Sequence, residues 1–298
     1  MHFLALVSFA VFCGAAAALP TESSNTLVPR DCSSQVASFN LARRERRGHS
    51  KRTPSTDIQA LSCVAAPESP LTYLQDISAD YVRPPLRQDV TEGQTGLSLT
   101  LDVGVMDVTT CQSMEEVMVE VWSPNALGSY GNSFLRGAFT SATNGVAEFQ
   151  TIFPGFASDS ANHINLMIHT NSSMSGTVSH VGQVFFTDRW TDVVGMTAPY
   201  NGNTNTRVLN AQDSNYALAN SAGYNAVVDI ESIHDDWPEG VIGYITVGVN
   251  PQRKSAVTVK NNRITFTTIR LEPQEQVHRG KNNEVLGKGS GNQIRIPA

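Results

Sequence analysis

Apolar and polar positions alternate along most of this chain. In LSLTLDVGV (97–105), Leu97, Leu99, Leu101, Val103 and Val105 fall on one face, with Ser98, Thr100 and Asp102 on the other. A period of two is that of a half-buried strand. VMVEVW (117–122), VAEFQTI (146–152), HINLMIH (163–169), TVSHVGQVFF (177–186) and VIGYITVGV (241–249) repeat it. Asn144-Gly145 and Pro154-Gly155 mark turns. Few segments show helical spacing. Strands separated by turn signals predict an all-β fold, an antiparallel β-sandwich with long loops. VTVKNNRITF (257–266) predicts a closing hairpin, and residues 272–298, polar and rich in Gly and Lys, a mobile tail. Residues 187–225, rich in Asn, Thr, Asp and Tyr, read as one long polar loop. A loop of that length in a compact domain is often functional.

The start of the chain breaks the pattern. Residues 3–18, FLALVSFAVFCGAAAA, are almost wholly apolar and precede Pro20, which predicts a signal peptide over 1–18 and a secreted, extracellular protein. No later segment approaches the roughly 20 apolar residues that span a bilayer, so no membrane partner is expected. Residues 19–52 are polar and end in Arg43, Arg44, Arg46, Arg47, Lys51 and Arg52. A nucleic-acid patch is one reading. A processing site is the other: the run sits behind the signal peptide and closes on the dibasic pair Lys51-Arg52. The second reading makes 19–52 a pro-segment, with Thr53 the mature start and 53–271 the folded domain.

Charge is uneven along the chain. Residues 53–251 hold 5 basic and 21 acidic side chains, a net of −16, and residues 252–298 a net of +6. A domain this acidic repels nucleic acid and anionic lipid. The dispersed basic charges of the tail could meet a polyanion or simply be solvated. Of the four cysteines, Cys13 leaves with the signal peptide and Cys32 with the pro-segment, which leaves Cys63 and Cys111 as the expected disulfide. There is neither a C-x-x-C motif nor a zinc spacing. Asn171-Ser172-Ser173 is the single N-x-S/T sequon, so Asn171 is a candidate glycosylation site.

Seven segments, in order, carry a further signal: RQDVTEGQTGLSLTLDVGVMDVTTC (87–111), VEVWSPNALGSYG (119–131), NGVAEFQTIFPG (144–155), HINLMIHTN (163–171), SHVGQVFFTD (179–188), PYNGNTNT (199–206) and WPEGVIGYITVGVNP (237–251). Together they resemble the intradiol ring-cleavage dioxygenases, especially their secreted fungal branch. The resemblance implies a β-sandwich holding one non-haem Fe(III) and a catechol-type aromatic substrate whose ring is opened between its two hydroxyls. It also implies two tyrosinates and two histidines on the metal, the histidines as H-x-H. On a strand, residues i and i+2 share a face roughly 6.5–7 Å apart, so both can reach one ion.

Carried over residue by residue, the first tyrosine falls on Tyr130 and the first histidine on His163. The second tyrosine falls near Ala157, the second histidine on Asn165 and a substrate-orienting arginine near Ser160. The metal candidates are therefore Tyr130 and His163, with Asn165 a weak amide donor, and the expected ligand set is incomplete. His169 and His180 read as structural residues, Trp122 and Trp190 as packing residues, and Glu231, His234, Asp235 and Asp236 as a solvated loop. Two functions follow: a ring-cleaving dioxygenase, or a non-catalytic aromatic-binding or cell-exterior interaction protein on the same fold.

Overall fold

The computed structural model describes residues 31–48, 77, 79–221, 223–233, 237–252, 257–260 and 263–266. The expected signal peptide, Lys51-Arg52, Thr53, Cys63, His234 to Asp236 and the tail at 272–298 lie outside these residues.

Two sheets hold nine of the eleven strands among the described residues. The first contains β1 (Ser98–Asp107), β2 (Gln112–Ser113), β5 (Val146–Ile152), β8 (Asp229–Ser232) and β9 (Val241–Val249). The second runs in the order β4 (Arg136–Thr140), β3 (Met118–Trp122), β6 (His163–His169) and β7 (Val178–Phe185). A separate antiparallel hairpin joins β10 (Val257–Lys260) to β11 (Arg263–Phe266). One hydrophobic cluster draws on both sheets. Leu99, Leu101 and Val103 of β1 and Val241, Ile245 and Val247 of β9 come from the first. Val119 and Val121 of β3 and Ile164, Leu166 and Ile168 of β6 come from the second.

The strand boundaries follow the alternation closely, but three expectations are corrected. The β1–β9 pair is parallel, with Leu99 opposite Val241 and Asp107 opposite Val249, so the first sheet is mixed rather than antiparallel. Residues 187–225 are not one structureless loop. They hold α2 (Asp188–Gly195), capped by the Thr187 hydroxyl accepting from Trp190 N at 3.2 Å, and α3 (Ser214–Ala219), capped by Asp213 accepting from Asn215 N and Tyr216 N. Side-chain caps satisfy backbone N–H groups that short helices leave open, and periodicity does not reveal them.

The third correction concerns the disulfide. Cys111 is bonded to Cys32, with Cα atoms 5.3 Å apart, and not to Cys63. The Cys63 pairing follows only if 19–52 is lost from the fold, yet 33–46 is a docked helix, α1 (Ser33–Arg46). This helix crosses the outer face of the first sheet, so the polar face of β1 is covered rather than solvated: eight of its ten residues are buried. Arg43 reaches Asp102 at 2.5 Å, Arg44 pairs with Glu231 and Asp229, and Arg47 pairs with Glu148. The guanidinium of Arg44 also lies 4.6 Å from the centre of the Tyr244 ring. The folded unit thus extends upstream of Thr53.

Candidate functional site

Strand β6 sorts its side chains by parity. Ile164, Leu166 and Ile168 enter the core shared by the sheets, while Met167, on the other face, joins a second cluster with Trp122 and Phe185. His163 and Asn165 share the parity of Met167 and line a cavity of about 160 Å³. Tyr130 arrives from the loop between β3 and β4, and Gln183 stands directly opposite Asn165 on β7. Asp80, Asp159 and Ser160 complete much of the wall.

The polar groups are closely joined. The Tyr130 oxygen lies 3.2 Å from His163 Nε2 and accepts from Asn165 Nδ2 at 3.0 Å. Gln183 Nε2 donates to Asn165 Oδ1 at 3.1 Å and lies 3.0 Å from His163 Nε2. His163 Nδ1 lies 2.7 Å from the carbonyl of Ala161, an acceptor, which places the ring proton on Nδ1 and a lone pair on Nε2. Asp213 accepts from Ala161 N at 2.7 Å, so the cap of α3 also steadies the residue that orients the imidazole.

Burial governs the charges. It holds the His163 imidazole below the ordinary histidine range, and therefore neutral at pH 7. It pushes the Tyr130 phenol up, with nearby Asp80 adding to the effect, so the phenol keeps its proton. Burial also raises Asp80, and Asp159 adds to that. Arg136, 2 % exposed, lies 5.9 Å from the centre of the Tyr130 ring and donates to Gly131 O.

The structure brings together Tyr130, His163 and Asn165. It keeps His169 apart, buried between Glu120 (2.8 Å) and the Gly176 carbonyl (3.1 Å). His180 sits opposite Ile168, away from the cavity wall, and burial pushes it down to about 3. Trp122 packs edge-on against Tyr81, and Glu231 lies under Arg44 rather than in solvent. Sequence reasoning missed Gln183, Asp80 and Asp159. The register of β6 against β7 is the signal for Gln183; the two aspartates come from segments without periodicity.

A search against family models found no match, and none was found among curated proteins. Solved structures do match. The intradiol ring-cleavage dioxygenase from Tetranychus urticae is 25% identical over 60% of this chain and 94% of its own, with a TM-score of 0.54. A second dioxygenase is 25% identical over 60% of this chain and 93% of its own, with a TM-score of 0.53. The chain has an intradiol ring-cleavage dioxygenase fold. On this dioxygenase-like chain, the cavity lining holds fewer tyrosine and histidine donors than the two of each that the resemblance implies. The cavity is lined by one phenol, one imidazole and the carboxyls of Asp80 and Asp159, and the lone pair of that imidazole faces the Gln183 amide. The tyrosines of the polar stretch 187–225 are engaged elsewhere: Tyr200 donates to Phe153 O, Tyr216 packs on Phe185, and Tyr224 packs by the disulfide. No group of three or more His, Cys, Asp and Glu poised for a metal occurs among the described residues.

Proposed function

We propose that this chain is an exported β-sandwich protein of the intradiol dioxygenase type that binds a catechol-type aromatic ring without cleaving it. The observation that carries this reading is the Tyr130–His163–Asn165–Gln183 network at a cavity of about 160 Å³. A cavity of roughly 150 Å³ accommodates one benzene ring. The neutral phenol and imidazole and the two amides supply donors and acceptors for a neutral diol. Beside them the wall carries the carboxyls of Asp80 and Asp159, and Ala157 and Asn165 stand where a second tyrosinate and a second histidine would be expected. Export rests on the apolar segment at 3–18. The acidity of 53–251 argues against nucleic acid and anionic membrane as partners.

The test is metal analysis of the exported protein with its visible spectrum, alongside oxygen uptake with catechol and calorimetric titration of catechol under nitrogen. The expected result is substoichiometric iron, no tyrosinate absorption, no oxygen uptake and saturable binding. Stoichiometric iron with ring cleavage would overturn the reading. Ala157→Tyr combined with Asn165→His should raise iron affinity; no gain would mean that the ligand positions are misassigned.

A further inference from the structure

The lining of the cavity changes character from inside to outside. His163, Asn165 and Gln183, 6 %, 2 % and 4 % exposed, form an uncharged floor on β6 and β7. Asp80 and Asp159 line the same cavity yet remain exposed to solvent, which puts both carboxyls at its mouth. They arrive from segments far apart in the chain, ahead of β1 and ahead of β6, and act on each other electrostatically. Their reach extends to the floor. The charged side chains that bear most on the His163 imidazole are all carboxyls, Asp213, Asp159 and Asp80.

No positive charge answers them in the lining, which holds no lysine or arginine among the described residues. Arg136 acts on Asp80 but stands against the Tyr130 ring, 5.9 Å from its centre, and is not part of the wall. Ser160, next to Asp159, occupies the position where the resemblance places a substrate-orienting arginine. Such an arginine would hold an anionic substituent; two carboxyls in the same region repel one and attract a cation. A cavity of about 160 Å³ takes a ring whose diol reaches the floor, so a substituent on the far side of the ring emerges at the mouth, where Asp80 and Asp159 stand. We propose that the site takes catechols whose ring substituent ends in a protonated amine and discriminates against those ending in a carboxylate. The ammonium donates to the two carboxyls in charge-assisted hydrogen bonds, roughly twice as strong as neutral ones. The proposal rests on the aromatic site of the proposed function and adds the charge of its ligand.

The test is calorimetric titration of the purified protein under nitrogen at neutral pH with dopamine, ethylcatechol and dihydroxyphenylacetate. These share the diol and end in an ammonium, a methyl and a carboxylate. Dopamine is expected to bind at least about tenfold more tightly than ethylcatechol, and dihydroxyphenylacetate at least about tenfold more weakly. Because the mouth is exposed, the spread should narrow between about 20 mM and about 500 mM salt. Asp80→Asn combined with Asp159→Asn should bring the three affinities within about threefold of one another. Asp192→Asn, which removes an exposed carboxylate on α2 outside the cavity, should keep the order. Equal affinities of the three ligands for the unaltered protein would overturn the charge selection and leave the aromatic site standing, as would a spread that salt does not narrow. The order persisting in the double variant would overturn the assignment to Asp80 and Asp159. No binding by any of the three would remove the aromatic site itself and the proposal with it.

Discussion

Tyr130 shows how differently two tyrosines of one chain are used. Its hydroxyl meets His163 and Asn165 at the cavity, whereas the Tyr200 hydroxyl donates to Phe153 O at 2.6 Å and accepts from Leu97 N at 2.9 Å. Removing one neutral hydrogen-bonding group costs about 1 kcal/mol. Tyr130→Phe is therefore expected to weaken catechol binding several-fold in calorimetric titration. Tyr200→Phe should leave binding unchanged and lower unfolding stability by about 1 kcal/mol. His180 gives a pH prediction. Its pKa falls from 6.5 to about 3 on burial, so the unfolded chain binds the proton more readily. The stability tied to its neutral form is full above pH 6.5 and is lost as pH falls from there toward 3, by up to about 1.4 kcal/mol per pH unit. In urea unfolding at pH 7 and pH 5, His180→Leu should lose less stability on acidification than the unaltered protein. An equal loss would refute the assignment.

At the scale of elements, α1 on the first sheet is the contact that strand patterning did not reveal. Arg43 and Asp102 form a buried pair, with side chains 1 % and 4 % exposed. Truncating one partner of such a pair leaves the other charge uncompensated, at a cost of about 3–5 kcal/mol. Arg43→Ala should lower stability by about that amount, while Arg46→Ala, whose side chain is exposed on the same helix, should change it by less than about 0.5 kcal/mol. Chemical unfolding of both variants checks this. Gly104→Val should push α1 from the sheet through Phe39 and raise hydrogen exchange over 33–46, with the cavity on the other sheet unaffected. Unchanged protection of the helix would show that its docking does not depend on that close approach.

Across the whole molecule, the two sheets divide the roles. The first carries α1 and the acidic face it covers; the second carries the cavity on the face of β6 turned away from the shared core. The sequon at Asn171 follows β6, and Asn171 is exposed, its side chain accepting from Ser173 N at 3.2 Å. Under the proposed export a glycan on Asn171 is expected, and Asn171→Gln should remove its mass without changing catechol binding. An unchanged mass on substitution, beyond the residue difference, would show that the turn is not modified.

The sequence by itself determined the strands, because turning alternate side chains into the core shared by the two sheets writes a period of two into 98–107, 146–152, 163–169 and 241–249. It also put His163 and Asn165 on one face, since alternate residues of a strand point the same way, and the family resemblance added Tyr130. It did not determine what crosses that pattern. Whether Asp102 faces water or Arg43, whether Cys111 meets Cys32 or Cys63, and whether β9 runs parallel to β1 are decided by contacts between residues far apart in the chain. Gln183 joins the site for the same reason: its place is set by the register of β7 against β6. Local periodicity reports only which face of an element is buried, and the partner that buries it is chosen when the elements pack.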